Sequence, residues 1–391
     1  MQRGKLAAVL AAAIWLAGCS QYGTASLAPT LLQESYSATP EIMPAVSPAD
    51  TAAPLPTETP LPTVTMSPTP TEIVFEVGKE LTIDYLRELE ISGSEITFHE
   101  RLGPGYNYAR HRVSYFSEGL KIYGLLTVPF GDPPPEGYKA VVFNHGYIPP
   151  DSYRTTERYE AYVDYLARSG FVVFKIDLRG HGDSEGEATG TYFSPAYTID
   201  AVSALKSLQT LDDVDPQGIG MWGHSMAGNL VLRAMLVEPE IQAGVIWAGA
   251  VYSYDDFFRY GIRDTSYRPP PTPEAPAEPG VTAAPDPRRE TREILEEYTA
   301  PIGGEANQGE AYWNAVSLTA NLEHLEAPLQ LHHADDDPVV TVNYAYELAA
   351  ALQENGKKYE LYTYDGGGHN LISPYFDQAM LRTVAFFEDN L

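Results

Sequence analysis

Three side chains in the second half of the sequence have the types and the order that nucleophilic attack on a carbonyl carbon requires. Ser225 lies within residues 222–228, between an apolar run that predicts a strand and a run that predicts a helix. Glycine or alanine stands two positions to either side of Ser225, as a sharp turn between strand and helix requires. An aspartate, Asp337, and a histidine, His369, follow further along the chain. Serine, carboxylate and imidazole together can form an acyl-enzyme and hydrolyse it.

The carboxylate partner is ambiguous because three aspartates are adjacent. Asp335, Asp336 and Asp337 follow a run that predicts a strand. The offset from His333 to Asp337 and Val340 resembles the hydrolase string H-G-x-x-D-x-x-V, with an alanine in place of the glycine. This resemblance favours Asp337 as the acid, while Asp335 and Asp336 stay open as alternatives.

A metal site is the rival interpretation of the same cluster. His332, His333 and the aspartates are ligand types that metal ions bind. Adjacent residues of a strand point to opposite faces, so these side chains are not expected to converge on one ion. Cys19 is the only cysteine, which excludes a disulfide within the chain and a metal site built from cysteines. We therefore expect no metal and no other cofactor.

His369 and a second turn supply the remaining groups. His369 follows three glycines after the last predicted strand, and a loop at a strand end can bring an imidazole to the serine. The developing oxyanion needs hydrogen-bond donors, and the N–H of Met226, directly after the serine, is the first candidate. The turn that contains His145 and Tyr147 resembles the His-Gly segment that supplies a second donor in α/β-hydrolases. We expect this donor to be the backbone N–H of Tyr147, with its side-chain hydroxyl as the alternative.

The elements that must position these groups alternate along the chain. Eight apolar or β-branched runs predict strands, at residues 113–116, 122–128, 140–143, 171–176, 219–222, 245–248, 329–332 and 359–364. Helical patterns separate most of the later runs. Apolar strands that alternate with helices predict a mostly parallel, eight-stranded sheet covered by helices on both faces. Reactive groups collect at the carboxyl ends of the strands in such sheets.

Residues from Tyr115 to the C-terminus resemble one group of the α/β-hydrolase superfamily. The matching strings lie at residues 117–124, 144–146 and 179–182, and Ser225 stands in a string that resembles the nucleophile elbow G-x-S-x-G, with Ala227 at the second glycine. Together with the acid and the histidine, they resemble the catalytic domain of prolyl oligopeptidase-like serine peptidases and dienelactone hydrolase-like enzymes. The resemblance implies the α/β-hydrolase fold and a Ser-Asp-His triad.

The same resemblance favours a serine-type peptidase that acts on short peptides or amides. Residues 20–110 are too few and too rich in proline for the β-propeller that prolyl oligopeptidases carry. Aromatic side chains at residues 252–258 are placed to line an apolar substrate pocket, or to pack the insertion at 259–311 against the sheet. A carboxylic ester hydrolase is the alternative function, and a non-catalytic surface lipoprotein that uses the fold for binding is the third.

The N-terminus carries the features of a bacterial lipoprotein. Two basic residues precede an apolar run at residues 6–16, which is too short to span a membrane and is typical of a signal peptide. Residues 16–19 resemble a lipobox and end in Cys19. We therefore expect a signal peptide at 1–18, a lipid on Cys19, a Pro/Thr-rich linker at 19–71 and a catalytic domain at 72–391 with a Pro-rich insertion near 264–289. This arrangement predicts attachment to the bacterial cell membrane on its extracytoplasmic side.

The excess of acidic over basic residues limits the classes of molecule that the protein is expected to bind. The sequence has 25 lysines and arginines against 53 aspartates and glutamates, a formal net charge of −28. Nucleic-acid binding needs a basic surface, so this composition argues against it. The expected partners are a small peptide, amide or ester substrate and, through the lipid, the membrane.

Overall fold

The computed structural model of the chain describes residues 78–192, 194–251 and 307–391. The predicted signal peptide, Cys19 and the linker lie outside these residues, as do the aromatic loop at 252–258 and the Pro-rich insertion near 264–289. Within the described ranges, no helix is long and apolar enough to cross a membrane.

One sheet forms the centre of the described residues. Its strands are β1 (Thr97–Arg101), β2 (Tyr108–Ser117), β3 (Leu120–Pro129), β4 (Tyr138–Asn144), β5 (Val172–Ile176), β6 (Val214–His224), β7 (Gly244–Trp247), β8 (Leu329–Ala334) and β9 (Tyr359–Tyr364). Their spatial order is β1-β2-β3-β5-β4-β6-β7-β8-β9. The pairs from β5 to β9 are parallel, and the pairs β1–β2, β2–β3 and β3–β5 are antiparallel. The sheet is therefore mostly parallel, as the sequence predicted.

Helices cover both faces of this sheet. They are α1 (Ile83–Glu88), α2 (Glu160–Arg168), α3 (Ala196–Leu208), α4 (Met226–Val237), α5 (Asn307–Val316), α6 (Asn343–Glu354) and α7 (Tyr375–Asn390). Alternate residues of β4 show the two layers: Ala140 and Val142 pack in a buried cluster with α1, α3, α4 and α6, whereas Val141 and Phe143 pack with α2 and α7. Burial of such side chains stabilises the fold by roughly 1.5–3 kcal/mol each for the larger ones.

Within residues 78–192, 194–251 and 307–391, the sheet has nine strands rather than the eight that the sequence predicted. The additional strand, β1, lies at one edge of this described sheet and pairs with β2. All five of its residues are exposed, so neither face of β1 needs apolar side chains. The apolar pattern that reveals the other strands is absent from it for this reason.

Candidate active site

Ser225 occupies a strained turn between β6 and α4. Its backbone has φ 57° and ψ −119°, a conformation that costs a residue with a Cβ about 1–3 kcal/mol and that persists at functional sites. The tight packing of the turn requires Gly223, because a Cβ there would lie 2.6 Å from the carbonyl oxygen of Ala227. A Cβ at Gly228 would lie 2.7 Å from the Cα of Gly249. The second tight position is therefore residue 228, while position 227 accommodates a buried alanine.

A continuous series of hydrogen bonds joins Ser225 to an imidazole and a carboxylate. His369 Nε2 lies 2.9 Å from Ser225 Oγ, and His369 Nδ1 lies 2.8 Å from Asp337 Oδ2. The carboxylate fixes the proton on Nδ1, so Nε2 is free to accept the hydroxyl proton of the serine. The three residues arrive on the β6–α4 turn, the loop after β8 and the loop after β9, at the carboxyl ends of parallel strands.

The surroundings of Asp337 keep its carboxyl group ionised. Oδ1 accepts hydrogen bonds from the backbone N–H groups of Val339, at 2.8 Å, and Val340, at 3.0 Å. Burial acts to raise the pKa of Asp337, but the hydrogen bonds from His333 and His369 outweigh it and hold the pKa well below its usual range. A charged carboxylate at this position can stabilise an imidazolium on His369.

The two neighbouring aspartates have other contacts. Asp335 Oδ1 accepts a hydrogen bond from the hydroxyl of Tyr346 at 3.3 Å. Asp336 Oδ1 accepts from the backbone N–H of Gly368, at 2.8 Å, and so contacts the loop that carries His369 without reaching its ring. Of the three carboxylates, Asp337 is the one that the structure brings to the imidazole.

The histidines of β8 point to opposite faces of the sheet. The His332 ring bonds the Tyr364 hydroxyl and the Gln330 side chain, whereas His333 Nε2 faces the carbonyl oxygen of Val340 at 2.8 Å. Across the described residues, no group of three or more His, Cys, Asp or Glu side chains is placed to hold a metal ion.

The predicted oxyanion donors occupy different positions around Ser225. Met226 is the first residue of α4, and its N–H is one of those that a helix start leaves without an intrahelical acceptor. Tyr147 lines the cavity beside Ser225. The His145 ring is fully buried behind this turn, where its nitrogens face the backbone carbonyls of Gly146 and Asp177. Burial lowers the pKa of His145 to about 3, so the ring is neutral and supports the turn from behind.

The cavity beside Ser225 has a volume of about 560 Å³. Four of its fourteen lining residues are tyrosine or phenylalanine, and one arginine and one aspartate contribute charge; the lining residues are Tyr147, Ile148, Arg158, Tyr159, Ala161, Tyr162, His224, Ser225, His369, Asn370, Ile372, Ser373, Phe376 and Asp377. The cavity therefore offers aromatic and apolar surface beside the serine. No sequence motif assigned a role to two of these residues, Tyr159 and His224. Tyr159 contacts the backbone of Gly146, and His224 contacts both Tyr159 and the backbone of His369.

Comparison with known proteins places the chain among hydrolases. The residue pattern of the Alpha/beta hydrolase family matches residues 141–386. A putative non-heme haloperoxidase of Mycobacterium phage D29 is 28% identical over 137 residues, which are 35% of this chain and 42% of that protein. The uncharacterized peptidase YtmA of Bacillus subtilis (strain 168) is 22% identical over 270 residues, which are 68% of this chain and 88% of that protein.

Two solved structures show the same fold at low sequence identity. Acetyl xylan esterase 1 from Thermoanaerobacterium sp. JW/SL YS485 is 16% identical with a TM-score of 0.55, and the match covers 80% of this chain and 94% of that one. The acylaminoacyl peptidase of Pyrococcus horikoshii is 18% identical with a TM-score of 0.54, and the match covers 73% of this chain and 42% of that one. The sheet and helices described above are those of the α/β-hydrolase fold.

Proposed function

Because the chain belongs to the Alpha/beta hydrolase family, we propose that it is a serine hydrolase that forms an acyl-enzyme on Ser225. The observation that carries the proposal is the series of hydrogen bonds from Asp337 through His369 to Ser225, at the wall of a cavity large enough for a substrate. A merely structural serine would not need a strained backbone and hydrogen bonds that link it to an imidazole and then to an ionised carboxylate.

In the proposed mechanism, His369 Nε2 takes the proton of Ser225 Oγ as the oxygen attacks the carbonyl carbon of the substrate. The N–H groups of Met226 and Tyr147 stabilise the negative charge that develops on the carbonyl oxygen. Asp337 holds the imidazole in orientation and stabilises its positive charge. His369 then protonates the leaving group, and a water molecule, activated by the same imidazole, hydrolyses the ester of Ser225.

Short peptides or amides are the proposed substrates. Amide cleavage requires a proton for the leaving nitrogen, and His369 is placed to deliver it. The likeness to the uncharacterized peptidase YtmA, which extends over 88% of that protein, supports this choice.

Carboxylic ester hydrolysis is the second candidate. The specific observation in its favour is coverage: the chain matches 94% of an acetyl xylan esterase, but only 42% of an acylaminoacyl peptidase. The fold alone does not decide between the two bonds, because the same triad cleaves both.

The choice can be tested with matched substrates. Aminoacyl arylamides, blocked and unblocked at the amine, are compared with the corresponding aryl esters and with alkyl esters, and Ser225→Ala serves as the blank. We expect arylamide cleavage that disappears in the variant. If alkyl esters are hydrolysed and no arylamide or short peptide is, the peptidase proposal fails and the esterase takes its place.

We also propose that a lipid on Cys19 tethers the protein to the extracytoplasmic side of the bacterial cell membrane. The apolar run followed by the only cysteine of the chain supports this proposal. Each buried CH₂ of an acyl chain contributes about 0.8 kcal/mol to membrane binding. A single chain therefore binds reversibly, and stable anchoring takes more than one.

Cys19→Ser is therefore expected to move the protein from the membrane fraction to the soluble fraction of cells. Ser20→Ala, one position further along, is the matched control and should remain with the membranes. A Cys19→Ser protein that still sediments with membranes after a salt wash would show that acylation is not the anchor.

A further inference from the structure

We infer that Tyr159 and His224 are positioning residues, which link the turn that contains Gly146 and Tyr147 to the loop that carries His369. The inference rests on the proposed function, because it assigns these side chains a part in the same reaction. Neither residue touches the reacting atoms in this assignment. Both act through the backbone of groups that do.

Three hydrogen bonds connect the two loops through these side chains. The backbone N–H of Gly146, next to the proposed donor Tyr147, lies 3.0 Å from the Tyr159 hydroxyl oxygen. That oxygen lies 2.8 Å from His224 Nδ1. His224 Nε2 in turn lies 2.8 Å from the backbone carbonyl oxygen of His369.

The direction of each bond follows from the chemistry of its ends. A carbonyl oxygen only accepts, so His224 Nε2 carries a proton and donates it to His369. Burial lowers the pKa of His224 to about 3, so the ring is neutral and Nδ1 accepts from the Tyr159 hydroxyl. Burial also raises the pKa of Tyr159, which keeps this hydroxyl protonated. Its oxygen then accepts from Gly146, and every donor has one acceptor.

The surrounding structure is built to hold this network. A Cβ at Gly146 would lie 2.7 Å from the Tyr159 hydroxyl and 3.2 Å from His224 Nδ1, so only glycine leaves room for these bonds. The His224 and His369 rings also pack against each other, with their centroids 4.6 Å apart. Both ends of the network are therefore fixed by packing as well as by hydrogen bonds.

The backbone at Tyr159 is strained, and the buried side chain of Lys175 stabilises it through hydrogen bonds. Arg158 and Tyr159 have φ of 60° and 53°, two successive left-handed residues that are not glycine. The buried ammonium group of Lys175 donates to the carbonyl oxygens of Glu157, at 2.8 Å, and Arg158, at 3.4 Å. Strain of this kind persists where the surrounding structure over-determines it, and here it aims the Tyr159 hydroxyl at Gly146 and His224.

The consequence concerns the transition state. A network that fixes both the oxyanion donor and the general base relative to Ser225 stabilises the geometry in which both act at once. The loss of the network should therefore lower kcat and kcat/KM together by about 10- to 100-fold, the size of effect that small misplacements of catalytic groups produce.

The test uses the full protein with an activated aryl ester as substrate. Each rate is divided by the concentration of active sites, which is measured from the burst of product released during acylation. Tyr159→Phe and His224→Phe each break the network, whereas His224→Gln keeps an acceptor and a donor at a spacing close to that of the ring nitrogens. Tyr165→Phe, on the helix α2 that follows Tyr159, is the matched control, because it removes a hydroxyl outside the cavity lining.

We expect both phenylalanine variants to lose about 10- to 100-fold in kcat and kcat/KM. His224→Gln should recover much of the loss, and the double variant should cost little more than either single one, because the two side chains act as a unit. Wild-type rates for Tyr159→Phe, no difference between His224→Gln and His224→Phe, or losses that multiply in the double variant would each overturn the inference. A wild-type protein without Ser225-dependent activity would instead overturn the proposed function.

Discussion

Ser225→Ala is expected to lower the turnover of every acyl substrate by roughly 10⁴- to 10⁶-fold. The variant lacks the oxygen that attacks the carbonyl carbon, and the remaining oxyanion donors and substrate contacts accelerate the reaction only modestly over water. The binding of substrate should change much less than its turnover, because the cavity wall stays in place. Steady-state kinetics with an arylamide and an aryl ester, together with circular dichroism of the folded variant, measure these effects.

Ser373→Ala provides the matched control for this experiment. Ser373 lines the same cavity and is exposed, but it lies outside the hydrogen-bonded series. Its loss should change kcat by no more than a few-fold. Ser225→Ala protein that keeps more than a few per cent of wild-type turnover, after repurification to exclude contaminating hydrolases, would show that another group is the nucleophile.

Asp337→Asn has the second largest expected effect, a loss on the order of 10⁴-fold in kcat. The amide removes the negative charge that faces His369 Nδ1 at 2.8 Å, and it introduces an NH₂ group that favours the wrong tautomer of the imidazole. The backbone N–H groups of Val339 and Val340 also lose a charged acceptor. Rates with the aryl ester measure the loss at a pH where the wild-type enzyme is fully active.

Asp335→Asn is the control, because Asp335 follows the same strand and its carboxylate accepts a hydrogen bond from the Tyr346 hydroxyl rather than from the imidazole of His369. Its rate should stay within a few-fold of the wild type. Equal losses at positions 335 and 337 would mean that the negative charge of the whole cluster matters, rather than one carboxylate aimed at the imidazole.

Most of the fold could be predicted from the sequence because buried strands leave a recognisable apolar pattern. Strands such as β5 and β7 are buried on both faces and therefore appear as continuous apolar runs. β1 was not predicted because an exposed edge strand needs no continuous apolar run. The strand order also required the structure, since the crossover that places β5 between β3 and β4 leaves no local trace in the sequence.

Some residues of the candidate site could likewise be identified from local sequence, whereas others could be identified only from the structure. Ser225 and His369 stand next to glycines that mark their loops, so local sequence was sufficient to select them. Local chemistry cannot separate three adjacent aspartates, because the turn after β8 decides which carboxylate reaches the imidazole; the motif offset selected Asp337 instead. Tyr159 and His224 are 65 residues apart, and their hydrogen bond exists only through tertiary packing. No signal at the level of spacing could have found that pair.

Covalent labelling by a fluorophosphonate shows directly whether Ser225 is an activated nucleophile, because this reagent phosphonylates a serine only when a base activates its hydroxyl. We expect one adduct per chain, which mass spectrometry locates on the peptide that contains Ser225, and none in Ser225→Ala. Labelling of another residue, or an active wild-type enzyme that acquires no adduct, would contradict a mechanism in which Ser225 is the nucleophile.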